Sequence, residues 1–379
     1  MFWHLYKKEM DDMKIEILSM QQINNMGSLL QAYGLMKRLK GGHNSVHFLD
    51  IKKYDDDYAL LENYQINFNK EYENDKKYYR YFRYPISMIY QKMKVKQQNK
   101  IFEKFRNNYF YRADEDKIYD LCVIGSDEVF NCQNAGFWGF SSQLFGNVAN
   151  AKNVITYAAC CGATTYETLP RKVKNRITDS LNKISNFSVR DQNTFEFVRK
   201  MSSKDIQINL DPVLISNFDA EINKAKKKYN KNNYCVVYSY KNRINSKNEI
   251  NAIKRFCHEN NLKLVAIGAP QFWIKDYVVC DPFECLKIIK NSSFVITDTF
   301  HGTIFSAKYA NRFAVIVRDS NRNKLMDLID RLSINEHLLN SINDISSVYS
   351  KQKDSVYLKK IIKEQETNTY TYLKNSGCY

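Results

Sequence analysis

An imidazole stands where an apolar run gives way to a small-residue helix: His301 follows Phe294–Asp298 and precedes Gly302 and Thr303. At the carboxyl edge of a parallel sheet, such a turn gathers unpaired helix N–H groups, the positive end of a helix dipole and a group that titrates near neutrality. The chemistry it suits is anion binding and proton transfer. Three other polar turns end apolar runs in the same way, carrying Asn25, Gly27 and Ser28, then Ser126, Asp127 and Asn131, then Arg190 and Asp191. Taken singly they have plainer readings, because Ser, Asp and Asn cap helices in any α/β protein. His301 also reads as the cap of a helix starting at Gly302, Asp127 as the cap of the next helix, and Arg190 as an ion partner of Asp191. None of the turns is a G-x-G-x-x-G or a P-loop, which argues against dinucleotide binding and ATP hydrolysis. The six histidines are scattered along the chain and form no cluster with cysteines, so no metal site is expected.

These turns must be held by alternating strands and helices, and the chain alternates almost throughout. Strands are predicted at 14–18, 120–125, 154–160 and 187–190, with helices at 27–40 and 172–184. The rhythm restarts after Pro212, with strands at 234–240, 263–267, 294–298 and 312–317. Helices there are predicted at 248–260, 282–290, 303–309 and 324–332. Consecutive strand–helix units imply two Rossmann-like, doubly wound parallel-sheet domains facing a cleft. At 379 residues the chain exceeds what one core usually organises. The division expected is 1–12 as a leader or disordered arm, 13–205 as the first domain, 206–345 as the second, and 346–379 as a final helix crossing back to the first domain. A basic, tyrosine-rich helical insertion is placed at about 54–118.

The formal charge of +16 invites a phosphate-bearing partner. The excess is concentrated near 76–112, where Lys92, Lys94, Lys96, Lys100, Lys104 and Arg106 are interleaved with aromatic residues. No nucleic-acid motif accompanies it, so an anionic leaflet or a lipid carrier is the expected partner and nucleic acid is not. The plainer alternative is a solvated helix face over packed tyrosines. Nine cysteines form no C-x-x-C pair and several lie in apolar runs, which reads as buried reduced thiols. With no apolar segment of membrane-spanning or signal-peptide length, the expected place of work is the cytoplasm, with peripheral contact at the inner leaflet.

In combination and order the turns resemble the polysaccharide pyruvyl transferase family. The residues carrying the resemblance are Gly27, Ser28, Gln31 and Ala32, then Ile124 to Asn131, Ser188 to Asp191, Leu210 to Val213 and Thr297 to Ser306, and it extends from about residue 14 to 330. It implies a GT-B-like fold and transfer of a pyruvyl group from phosphoenolpyruvate to two hydroxyls of a sugar or lipid-linked oligosaccharide, forming a cyclic ketal. No separate cofactor is implied. On this reading His301 is the acid that protonates the donor methylene, and Asp298 tunes or orients it, with a buried carboxylate bonded to backbone N–H groups as the equally plain alternative. Arg190 holds the donor carboxylate or phosphate. Thr299, Gly302, Thr303, Ser126, Asp127, Asn131, Asn25, Gly27 and Ser28 bind donor or acceptor. One departure bears on the donor: some members carry an arginine where this chain has Thr299, so phosphate neutralisation falls to another cation, with Lys308, Arg318 and Arg322 nearby. Two other readings stay open, a GT-B glycosyltransferase using a nucleotide sugar and a non-catalytic membrane- or RNA-binding protein.

Overall fold

Strands whose side chains are buried on both faces pair in parallel and need helices above and below them. The computed structural model describes residues 13–42, 44–52, 54, 57, 85–132 and 140–379. In its first half, β1 (Lys14–Leu18), α1 (Met26–Leu39), β2 (Ser45–Leu49), α2 (Pro85–Tyr109), β3 (Leu121–Ile124) and β4 (Val154–Thr156) build a parallel sheet of order β2-β1-β3-β4. After α3 (Arg171–Leu181), β5 (Phe187–Val189), α4 (Gln192–Arg199) and β6 (Ile206–Ile208) add a parallel pair, joined to β4 through bridges at Ile155–Asn186 and Ala159–Val189. Two short helices, α5 (Pro212–Ile215) and α6 (Asp219–Lys224), lead to the second sheet. There β7 (Tyr234–Tyr238), α7 (Lys247–Glu259), β8 (Lys263–Ile267), β9 (Asp276–Tyr277), α8 (Pro282–Lys290), β10 (Phe294–Thr297), α9 (Phe300–Tyr309), β11 (Phe313–Val315) and α10 (Arg322–Leu332) give the order β11-β10-β7-β8-β9.

Both orders reverse direction once. The chain winds outward from β1 to β2, then returns to place β3 on the other side of β1. In the second sheet it runs β7-β8-β9 and then crosses to β10. The carboxyl ends of β1 and β3, and of β7 and β10, are therefore switch points, where diverging loops leave a crevice. One apolar cluster runs from Ile15, Leu29 and Leu35 through Val213 and Phe218 to Val236, Phe283 and Ile304, so the two sheets share packing. After α11 (Ile345–Ser350), α12 (Ser355–Asn375) returns to the first sheet, where the Tyr372 hydroxyl donates to the Thr156 carbonyl at 2.6 Å. All nine cysteines are free and buried.

Several boundaries differ from the periodicity. The strand read to Cys160 ends at Thr156, because Ala158 takes a left-handed φ of 48° that breaks the extended run. The helix read from Thr303 begins at Phe300. Thr299 is extended and its Oγ1 accepts from the Gly302 amide at 3.0 Å, so His301 lies inside the first turn and Thr299 is the cap. Much of the basic insertion, residues 58–84, lies outside the described residues; α2 accounts for its later part.

Glu16 occupies the middle of β1 with 0% exposure. Its Oε2 accepts from Asn150 Nδ2 at 2.9 Å, and its Oε1 has no hydrogen-bond partner. Burial is the main cause lifting its pKa from 4.5 to about 7. The folded state thus holds the proton more tightly than the unfolded chain. Stability is complete below the unfolded value and falls as pH rises toward 7, by about 3 kcal/mol. Glu16→Gln is expected to melt higher than the parent at pH 8 and at the same temperature near pH 4; a pH-independent difference would refute this.

Candidate functional site

The four polar turns converge. Asp211, the N-cap of α5, accepts from Val213 N with Oδ1 and uses Oδ2 as a hub. That oxygen lies 3.1 Å from Ser126 Oγ, 3.4 Å from an Arg190 terminal nitrogen and 3.5 Å from His301 Nε2. Burial works against the charge on Asp211, yet His301 and Arg190 hold its pKa below the usual carboxylate value. Arg190, 2% exposed, also lies 4.0 Å from Asp127 Oδ1 and has its guanidinium 4.1 Å from the centre of the Phe300 ring. Burial alone would weaken its charge; Cys160, Asp211 and Asp127 outweigh that and raise its pKa. Asp191 instead caps α4, accepting from Thr194 N at 2.8 Å.

Asp127 holds a left-handed φ of 84°, a strained choice for a non-glycine residue that the surroundings enforce. Its Oδ2 accepts from Ser28 Oγ at 2.6 Å and its Oδ1 from Glu128 N at 3.0 Å. Glu128 in turn pairs with Lys324 of α10 and accepts from Asn131 Nδ2. Although burial opposes ionisation of Glu128, Lys324 and Asn131 bring its pKa down to about 2.

Two adjoining cavities share Asn25, Tyr240 and His301 in their walls. The larger, about 180 Å³, adds Ser28, Asp127, Glu128, Arg190, Phe300 and Lys324; the smaller, about 100 Å³, adds Tyr238, Ser239 and Thr299. Two cations, the two carboxylates paired with them and an imidazole therefore face one space between the two switch points. A third cavity, about 590 Å³, opens at the opposite ends of the strands, beside Asn233, Ser293 and Arg312, and contains none of the four turns.

The structure corrects several assignments. Asp298 does not orient His301, because alternation along the strand places Thr297 and Thr299 on one side and Asp298 on the other. Its Oδ2 lies 3.3 Å from Arg318 Nε and 3.7 Å from Arg243 Nε, and the carboxylate beside the imidazole is Asp211. Thr303 Oγ1 donates to the Thr299 carbonyl, and the Gly302 amide is taken by Thr299, so both hold α9 rather than face the cavities. Asn131 ties its turn together through Glu128 and accepts from Thr164 Oγ1, away from the cavity walls. Asn25 caps α1, accepting from Gly27 N at 2.7 Å. Lys308 donates to the carbonyls of Val213 and Leu214, and burial brings its pKa to about 7. Arg318 pairs with Glu249 and Arg322 with Asp319. The lysine on the cavity wall is instead Lys324, paired with Glu128.

Gly27 has a steric reason. A Cβ there would sit 2.2 Å from both Cγ and Nδ1 of His301, so only glycine lets α1 approach the ring. Gly27→Ala gains roughly 1 kcal/mol of helix propensity but must displace the imidazole. The expected outcome is a folded protein whose turnover falls by about 100-fold, since a shift of about 1 Å costs that much. Parent-like turnover would show that the ring position is not critical.

Among the described residues, no group of His, Cys, Asp and Glu is arranged to hold a metal ion, and no helix is long and apolar enough to cross a membrane. A family model described as polysaccharide pyruvyl transferase matches residues 25–320. No curated protein matches the chain. The UDP-N-acetylglucosamine 2-epimerase from Rickettsia bellii is similar in structure at a TM-score of 0.50 and 9% identity, with 96% of each chain covered. The UDP-GlcNAc 2-epimerase from Neisseria meningitidis, solved bound to UDP-GlcNAc, gives 0.48 and 9%, covering 96% of this chain and 99% of that one. The calicheamicin glycosyltransferase CalG4 gives 0.43 and 10%, covering 97% and 100%. At 9% identity the likeness to the Rickettsia bellii enzyme concerns the fold alone, a GT-B-type α/β architecture with parallel sheets.

Proposed function

The chain belongs to the polysaccharide pyruvyl transferase family, and from that premise we propose that it transfers a pyruvyl group from phosphoenolpyruvate to two hydroxyls of a sugar in a surface polysaccharide precursor. The observation that carries the reading is the imidazole of His301 beside the buried Asp211 carboxylate, on a cavity wall that also presents Arg190 and Lys324. A donor with one carboxylate and one phosphate needs two cations, and its methylene needs an acid that titrates near neutrality.

The steps balance with these residues. Protonated His301 gives its proton to the methylene carbon, leaving an oxocarbenium-like centre whose charge the donor's own oxygens share. One sugar hydroxyl attacks that carbon and loses its proton to the phosphate oxygen that leaves. As the carbon–oxygen bond to phosphate breaks, a second oxocarbenium forms. The second hydroxyl then closes the ketal and returns a proton to His301. Asp211 stabilises the imidazolium before and after transfer, as an orienting carboxylate does for a general acid. Arg190 and Lys324 hold the donor anions and the departing phosphate.

The test is thermal melting of the parent protein with phosphoenolpyruvate, UDP-sugars and GDP-sugars separately, followed by assay of phosphate release with candidate acceptors. Stabilisation by phosphoenolpyruvate and acceptor-dependent phosphate release are expected. Stabilisation by a nucleotide sugar alone would move the assignment to glycosyl transfer.

A further inference from the structure

We propose that the outward face of α2 is a docking surface for an anionic phospholipid bilayer. Its inward face is fixed to the body. Phe102 and Phe105 are buried, the Phe105 and Phe283 rings lie 5.3 Å apart, and the Gln98 amide exchanges hydrogen bonds with the Cys280 main chain at 2.8 and 3.1 Å. On the opposite side, Lys92, Lys96, Lys100 and Lys104 recur every fourth residue, and that spacing aligns them in one exposed, slowly winding row. Ile89 and Met93 stand beside that row, 61% and 59% exposed. Nothing in the packing of α2 requires them there.

Over this helix six cations face one acid, Glu103. Among the described residues none of Lys92, Lys94, Lys96, Lys100 and Lys104 is in a salt bridge. Lys94 instead lies 5.5 Å from the centre of the Tyr90 ring. A basic row flanked by protruding aliphatic side chains complements a negatively charged surface with an apolar interior. RNA would match the charge and could stack one base on Tyr90, 48% exposed, but the protruding Ile89 and Met93 are aliphatic, and an apolar interior for them to enter is what a bilayer supplies. The face also adjoins the site: Arg106 of α2 donates to Asn24 Oδ1 at 2.9 Å, and Asn24 lines the smaller cavity. A docked α2 would hold the cavities beside the lipid surface.

The experiment is vesicle flotation of the full chain, which involves no turnover and so stands apart from the donor chemistry proposed above. The parent is expected to float with phosphatidylglycerol-containing vesicles and not with pure phosphatidylcholine, with binding weakened by salt. Lys96→Ala with Lys100→Ala is expected to lower partitioning roughly 10–30-fold, at about 1 kcal/mol per lysine. Ile89→Ser with Met93→Ser is expected to remove the salt-resistant part of the binding. All four side chains are exposed, so melting temperatures should match the parent. Absence of flotation with anionic vesicles, or flotation indifferent to the lysine pair, would overturn the proposal. RNA binding that depends on the same lysines while vesicles are ignored would overturn it in favour of a nucleic-acid surface.

Discussion

His301→Ala is expected to lower turnover by about three orders of magnitude while phosphoenolpyruvate affinity stays within a few-fold of the parent's. Of the three residues that the two cavities share, His301 is the one whose side chain, an imidazole, is suited to general acid catalysis. Donor affinity should persist because the proposed donor contacts are Arg190 and Lys324, cavity-wall residues that the substitution does not touch. The fold should persist as well, since Asp211 retains Ser126 and Arg190 as partners. The measurement is single-turnover phosphate release beside a donor titration. Added imidazole, fitting the vacated volume, should restore part of the rate. Parent-like turnover would remove His301 from the mechanism, and loss of donor affinity with an unchanged rate at saturation would make it a binding residue instead.

How much of this was readable depended on the range of the interaction. His301, Arg190, Asp127, Ser28 and Asn25 were legible because each follows an apolar run at a strand's carboxyl end, a local pattern with a local cause. Their convergence was not, since it rests on the switch between β1 and β3 facing the switch between β7 and β10. Asp211 shows the limit. An Asp before a Pro at a helix start reads as a cap, and its Oδ1 is one; what sequence does not reveal is that Oδ2 serves Ser126, Arg190 and His301 from three other segments. Lys324 was hidden likewise, as a lysine early in a helix, until Glu128 fixed it at the cavity. Asp298 lies beside Arg318 and Arg243 rather than His301, because strand alternation sends adjacent residues to opposite faces. The shortened strand after Thr156 and the early start of α9 follow from Ala158 and Thr299, whose backbone conformations the apolar pattern does not encode.

Asp211→Asn is expected to produce the largest loss of stability of any single change at the site, about 3 kcal/mol, together with loss of turnover. Asparagine keeps the volume and remains a good cap for α5, so the substitution isolates the charge. What it leaves is a guanidinium with 2% exposure whose remaining carboxylate is Asp127 at 4.0 Å. Removing one partner of a buried pair costs more than the pair is worth, because the survivor stays desolvated. The pH dependence has a definite sign. Asp211 has a folded pKa below its ordinary 3.8, so its contribution is present above that value and fades as pH falls through the lower folded one. The parent–variant gap in melting should therefore be full at neutral pH and narrow in acid. A second variant separates electrostatics from packing: Asp211→Asn with Arg190→Met removes both charges and should recover much of the stability without recovering turnover. If the double variant is as unstable as the single one, Asp211 acts through its hydrogen bonds to Ser126 and Val213, and the buried ion pair is not what holds these turns together.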